Sequence, residues 1–333
     1  MIARLKEFAS VPTNFADSHI VVDASVDDET AKFLVDTGAG SSMLDSAFVA
    51  RRNLPVIETG TLGHGLTGRG LSGLTRVDSL RIGKAVSRNS AFAIGHIGGD
   101  GRNGQPVGLF AADYLANYDV EIDSAAGRLN LFSQDHCPGE VVYWAKEYFR
   151  LPVSLTPDKR LDVQIEIDGK TLRGMIDTGA GATLMRLAVA RRLFGIDPDA
   201  AGVPHGLITG ADAAKLDAFP HVFKSLSFGG ITLHNTTVIV ANVDSGNAGT
   251  RGIANDEQED VIIGMPLLRQ LHLFIAYSEP ALYFTVAEPT RRRVKRPPPD
   301  RAGSEAGRRR LWPATSPGSA RRPPSPASGN SGC

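Results

Sequence analysis

Two aspartates stand in matching settings in this chain. Asp36-Thr37-Gly38-Ala39-Gly40 recurs as Asp177-Thr178-Gly179-Ala180-Gly181, each after an apolar run, Phe33-Leu34-Val35 and Met175-Ile176. If the two loops meet, their carboxylates lie a few ångströms apart and cannot both ionise, so they share one proton. The ionised member can then take a proton from water while the protonated member donates to a carbonyl oxygen, a general base and a general acid in one site. Thr37 and Thr178 offer hydroxyls that can bond across the junction. Gly38 and Gly179 let the chain turn sharply where a β-carbon is costly.

The elements that position these loops are themselves repeated. Phe33 to Leu44 matches Gly174 to Met185 at an offset of 141, and His64-Gly65-Leu66 meets His205-Gly206-Leu207 at the same offset. Ile20 to Val26 aligns with Leu161 to Ile167; Leu80 to Gly83 matches Leu226 to Gly229, and Gly108 to Leu115 matches Val261 to Leu268. Five blocks in one order mark an internal duplication. Val163, Ile165 and Ile167 alternate with polar residues as in a half-covered strand, and Asp168-Gly169 supplies a hairpin turn. Val120 to Asp123 and Arg128 to Leu131 give another hairpin around Ser124 to Gly127. Helices are expected only as short pieces: Ser46 to Arg52 capped by Asp45, Leu187 to Phe194 stopped by Gly195, Asp113 to Asn117, and Pro266 to Leu271. The fold class is therefore all-β, two homologous lobes joined near Asp135 to Glu147, with residues 1–135 as the first lobe and 136–287 as the second.

Composition bounds the partners. Of 36 Lys/Arg and 36 Asp/Glu, 11 and 3 fall between Glu288 and the C-terminus, leaving the body with eight more acidic than basic residues. An acidic body gives no reason to expect nucleic acid. Residues 288–333 hold nine of the twenty prolines together with Arg291-Arg292-Arg293 and Arg308-Arg309-Arg310, and are expected to be a disordered, solvated basic tail. Two cysteines, Cys137 and Cys333, cannot make a disulfide framework or a cysteine-rich zinc site. The N-terminal Met-Ile-Ala-Arg-Leu-Lys-Glu has no apolar run behind it, so neither a signal peptide nor a membrane span is read there, and a soluble protein is expected.

With both motifs in view, the pattern resembles the pepsin and retropepsin superfamily of aspartic peptidases, each lobe being similar to one retropepsin subunit. Val261-Ile262-Ile263-Gly264 followed by Leu267-Leu268 resembles that family's second signature, a strand whose glycine packs beside the catalytic loop, then a short helix. The likeness spans roughly residues 10 to 286. It implies Asp36 and Asp177 as a catalytic dyad, Thr37 and Thr178 as the interlocking pair bracing it with Gly38 and Gly179, a peptide or protein substrate, and no cofactor or metal. It also implies two flaps, with tips at Gly63 to Gly70 (Gly65, Leu66, Gly68) and Gly206 to Gly210 (Gly206, Leu207, Gly210). A duplicated chain completes its site without a partner, so a monomer is expected; compartment stays open, because related bacterial proteins are often exported. Two departures stand out. Ala111 replaces the second signature's glycine in copy one, so a looser or shifted contact with the Asp36 loop is expected. Ala39 and Ala180 are the retropepsin form and lack the hydroxyl that pepsin-like enzymes place on the dyad, so a strongly acidic optimum is not implied.

Other readings compete. His64 and His205 recur at matched positions, but no third ligand stands at metal spacing, so surface histidines are expected. Asp100 to Gly104 and Asp244 to Asn247 faintly resemble calcium loops but lack the later glutamate. A non-catalytic peptide-binding module on the same fold is one alternative. A nucleotide-binding protein of the actin and sugar-kinase type, which also carries two Asp-containing glycine loops, is another; it requires long helices that the sequence does not suggest.

Overall fold

Short apolar–polar alternations closed by tight turns account for most of the regular structure in a computed structural model, which describes residues 5–16, 18–59, 73–97, 99–200, 203–209, 215–242 and 259–287. The first half runs β1 (Glu7–Ala16), β2 (His19–Val26), β3 (Glu29–Val35), β4 (Met43–Asp45), α1 (Ser46–Arg51), β5 (Val56–Ile57), β6 (Gly73–Ile82), β7 (Ala85–Gly95), β8 (Pro106–Phe110), α2 (Ala112–Leu115), β9 (Asp119–Asp123) and β10 (Arg128–Phe132). The second runs β11 (Phe149–Pro152), β12 (Ser154–Leu155), β13 (Leu161–Ile167), β14 (Lys170–Ile176), β15 (Leu184–Arg186), α3 (Leu187–Phe194), β16 (Gly206–Thr209), β17 (Lys215–Phe228), β18 (Ile231–Ala241), β19 (Val261–Ile263), α4 (Met265–Leu268), β20 (Leu271–Ala276) and β21 (Ala281–Val286).

Each half closes six strands into a barrel, in the order β2-β3-β8-β4-β7-β6 and β13-β14-β19-β15-β18-β17, sealed by β2–β6 and β13–β17 pairs. The registers repeat as well. Phe33 pairs with Gly108 and Val35 with Phe110, just as Gly174 pairs with Val261 and Ile176 with Ile263. Even the turns correspond: Asp27-Asp28 and Asp168-Gly169 both take positive φ, and the Asp27 and Asp168 carboxylates each accept an N–H, from Ser79 and Ser225 respectively, at 2.8 Å. Inward residues of alternating strands fill the barrels, Ile20, Val22, Phe33 and Phe110 in one and Leu161, Val163, Ile165 and Phe223 in the other, all fully or nearly fully buried. Phe33 stacks on Phe110 at 4.3 Å.

The halves are also joined by one sheet, β11-β21-β20-β9-β10-β1, in which β9 and β20 pair antiparallel over four residue pairs from Ile275↔Val120 to His272↔Asp123. β1 serves two sheets at once: Glu7 to Pro12 pair with β10, Thr13 to Ala16 with β2. The linker covers the outer face of this sheet. Val141 is fully buried with Phe132, Phe274 and Tyr283, and Trp144 stacks on His272 at 4.1 Å. None of this sheet beyond the β9–β10 hairpin is visible as a local pattern.

Helices are short, as the sequence suggests, with small shifts in their bounds. α1 ends at Arg51, and Asp45 Oδ1 caps it by accepting from Ala47 N at 2.8 Å. α2 and α4 begin one residue earlier than expected, directly after Ala111 and Gly264, which hold matching extended conformations. They also stop two to three residues sooner, in the second copy because β20 begins at Leu271. The longest helix among the described residues, α3, has eight residues, which removes the nucleotide-binding alternative with its long helices. Among the described residues no helix is long and apolar enough to cross a membrane. Residues 288–333, expected as a tail, lie outside the described residues.

Candidate active site

Hydrogen bonding along parallel neighbours places the two Asp-Thr-Gly loops at the ends of β3 and β14. Asp36 N donates to Phe110 O at 2.9 Å and Asp177 N to Ile263 O at 3.0 Å, so each aspartate continues a barrel strand for one more rung. The loops then meet across the lobe boundary. Thr37 Oγ1 donates to Ile176 O at 2.8 Å and accepts from Thr178 N at 3.1 Å; Thr178 Oγ1 donates to Val35 O at 2.7 Å and accepts from Thr37 N at 3.1 Å. Both threonines are fully buried, so all four bonds are shielded from water.

The glycines have a different reason from the one the sequence suggests. Neither Gly38 nor Gly179 has a positive φ. A β-carbon on Gly38 would lie 2.2 Å from Asp177 Cγ, and one on Gly179 would lie 2.3 Å from Asp36 Cγ. Each glycine is thus the seat for the other lobe's carboxylate, and close approach rather than turning excludes a side chain. The carboxylates face one another, half-buried on the floor formed by the two loops.

The two carboxyls are not equivalent. Asp36 Oδ1 accepts from Gly38 N and Ala39 N, both at 2.9 Å; Asp177 Oδ1 accepts from Gly179 N at 2.7 Å, and Ala180 N, 3.4 Å from the Asp177 backbone carbonyl, also favours the Asp177 carboxylate. Burial raises Asp36, and the Ala39 and Gly38 N–H groups partly offset that. Burial also raises Asp177, and the neighbouring Asp36 charge pushes it further, so Asp177 lies well above the ordinary carboxylate range. Of the two, Asp177 is raised further, with the Asp36 charge as the added cause.

Ala111 does not loosen its loop as expected. Ala112 N donates to Ala39 O at 2.9 Å, the same length as Met265 N to Ala180 O. Ala111 N is held by Ser42 Oγ at 2.9 Å and Gly264 N by Thr183 Oγ1 at 3.2 Å. In the first copy Asp113 accepts from both Ser42 N and Ser42 Oγ, at 2.9 and 2.6 Å, tying α2 to the loop; Pro266 occupies that place in the second. That added clamp is a site residue the sequence reading passed over, although Asp113 at the start of a short helix was a visible signal.

The structure brings Asp36, Thr37, Gly38, Asp177, Thr178 and Gly179 together. Gly206 and Leu207 begin β16, a short strand on β17 at the edge of the second barrel, and Leu207 is 62% exposed. Gly65, Leu66, Gly68 and Gly210 lie outside the described residues, as do His64 and Asp244 to Asn247. His205 is exposed beside the Phe219 ring. Asp100 is engaged within its own turn, accepting from Arg102 N at 2.9 Å, while its carbonyl accepts from Arg51 Nε.

Residues 22–113 and 163–267, together more than half of the chain and one copy each, match the family model described as aspartyl protease. None of the curated proteins compared matches the chain.

Proposed function

The chain belongs to the aspartyl protease family, and we propose that it is an endopeptidase in which Asp36 and Asp177 act as one dyad on peptide bonds. The observation that carries this reading is the reciprocal seating of each carboxylate on the other loop's glycine, with the threonines locked beneath. In the resting state Asp36 is ionised and Asp177 holds the proton. Asp36 takes a proton from a water as that water attacks the peptide carbonyl carbon, and Asp177 gives its proton to the carbonyl oxygen. The resulting gem-diol returns a hydroxyl proton to Asp177, Asp36 delivers its proton to the amide nitrogen, and the C–N bond breaks. Both carboxyls end as they began.

The pH dependence follows from the same assignment. Activity falls at low pH as Asp36 takes up a proton, and at high pH as Asp177 loses its own. Because Asp177 is raised well above its ordinary value, the alkaline limit lies above the range of a free aspartate, about 3.9.

The test is cleavage of an unstructured protein by wild type, Asp36→Asn and Asp177→Asn, with pepstatin as the transition-state mimic. Pepstatin-sensitive cleavage by wild type and a loss of at least about 10³-fold in kcat/KM for each variant is the expected outcome. Near wild-type turnover by either variant would remove the dyad. A wild type that binds peptide without cleaving it would make this a binding module.

A further inference from the structure

The joining sheet buries acidic residues where sheet interiors rarely hold them. Asp119 on β9 is fully buried and Glu121, two residues on, is 1% exposed. Each meets a histidine brought from elsewhere in the chain. His136 of the linker bonds the Asp119 carboxylate through Nε2, and its side chain is 2% exposed. His272 of β20 has Nε2 at 2.8 Å from Glu121 Oε1 and Nδ1 at 3.8 Å from Asp123 Oδ2.

The remaining polar groups complete two clusters that cross the lobe boundary. Ser278, in the β20–β21 turn, donates to Asp119 through N at 3.3 Å and Oγ at 3.2 Å. Glu279 beside it accepts from Gly139 N of the linker at 3.0 Å. Tyr143 Oη donates to both Glu121 oxygens, at 2.8 and 2.7 Å, and Asn130 Nδ2 also bonds Glu121. Facing His136 are thus Asp119, the Cys137 carbonyl, Ser278 and, at longer range, Glu279, with the buried Tyr277 hydroxyl near Asp119. Facing His272 are Glu121, Asp123 and the Trp144 ring.

We infer that the His136–Asp119 pair, joined to the second lobe through Ser278, is a proton-operated clasp that holds the β9–β20 junction and therefore the two half-sites in register while the His136 imidazole is charged, with the His272–Glu121 contact beside it in the same seam. Once His136 loses its proton, the buried Asp119 carboxylate remains without a countercharge, which is the costly way to break such a pair. Four residue pairs join β9 to β20 over a buried apolar face of Val120, Ile122, Leu273 and Ile275, and the charged pair adds to that packing at the seam's end. Burial alone would lower His136, but its bonds to Asp119 and to the Cys137 carbonyl outweigh this and leave it above the ordinary histidine value. A raised histidine stabilises fully below its unfolded value of about 6.5, and that contribution is lost as pH rises through the folded value above it. The clasp is therefore shut in acid and released as pH rises through the raised His136 value.

The test reads stability and exchange, so its failure is distinct from failure of the dyad. Asp177, also raised, makes stability fall with rising pH in the same direction; the informative comparison is with Asp119→Asn, which leaves the dyad intact. Melting temperature is followed over roughly pH 5 to 9 in wild type, Asp119→Asn and His136→Gln. Both variants are expected to melt lower than wild type in acid and to converge on it as pH rises. Curves that stay parallel overturn the clasp. In the wild type, NMR titration of His136 is expected above about 6.5, together with a drop of at least about tenfold in amide protection across Val120 to Ile122 and Leu273 to Ile275. Titration at or below the free value, or protection that stays constant, overturns it without relying on any variant folding.

Discussion

Backbone N–H groups of Gly38 and Ala39 favour the Asp36 carboxylate and those of Gly179 and Ala180 favour Asp177, but an Asp113 clamp ties the first loop to α2 and a proline takes the clamp's place in the second copy. The strand registers, the threonine bonds and the loop-to-helix bonds are otherwise the same in both copies. The fold therefore supplies a symmetric seat, and the copies differ behind it, where the loop meets the following helix.

The symmetric part is tested most severely at the glycines. Gly38→Ala drives a methyl into Asp177, and Gly179→Ala drives one into Asp36. Each is expected to lower kcat/KM by at least about 10²-fold, the scale of an ångström of misplacement. The two should differ in kind: Gly38→Ala moves the alkaline limb of the pH–rate profile and Gly179→Ala the acid limb. Identical profiles would erase the assignment of the proton.

The threonines come next. Thr37→Val or Thr178→Val strands a buried carbonyl and a buried N–H on the other lobe, a cost of about 1–3 kcal/mol each in denaturant unfolding. The double variant is expected to cost clearly less than the sum, because the hydroxyls serve one network. Simple additivity in that cycle would mean the lobes are not coupled through this pair.

The smallest effect is expected at Ala111, where the first copy carries a methyl that Gly264 of the second copy lacks. A β-carbon on Gly264 would lie 2.2 Å from Ala182 O, whereas the first copy accommodates the Ala111 methyl with its loop bonds kept. Ala111→Gly should therefore gain nothing. It should cost about 1 kcal/mol in thermal or denaturant unfolding, from the lost methyl and the freer unfolded chain, with kcat unchanged. A faster enzyme would show that the methyl does strain the Asp36 loop.

The sequence makes the duplication, the hairpins and the short helices legible because these are local patterns, such as Asp168-Gly169 between alternating strands. It also identifies the two loops that meet. What stays hidden depends on distance along the chain. The role of Gly38 is set by Asp177, a residue of the other copy. The joining sheet pairs β9 with a strand some 150 residues away, as in the His272–Glu121 contact. Asp119-Val120-Glu121-Ile122-Asp123 reads as a strand with a watery acidic face, yet the linker covers that face, and Asp119 through Ile122 are all buried. Alternation shows which residues share a side; it does not show what will later be laid over them.

That late covering has a consequence for how the chain is made. Synthesis completes β9 and β10 long before β20 leaves the ribosome, so the first lobe waits with β9 as a raw sheet margin. An apolar margin in that position would invite pairing with the same strand of another nascent chain. Asp119, Glu121 and Asp123 place three carboxylates along it instead, keeping the margin hydrated and mutually repellent until His136 covers Asp119 and β20 brings His272 against Glu121 and Asp123. The residues that join the finished lobes would thus also keep an unfinished one solitary.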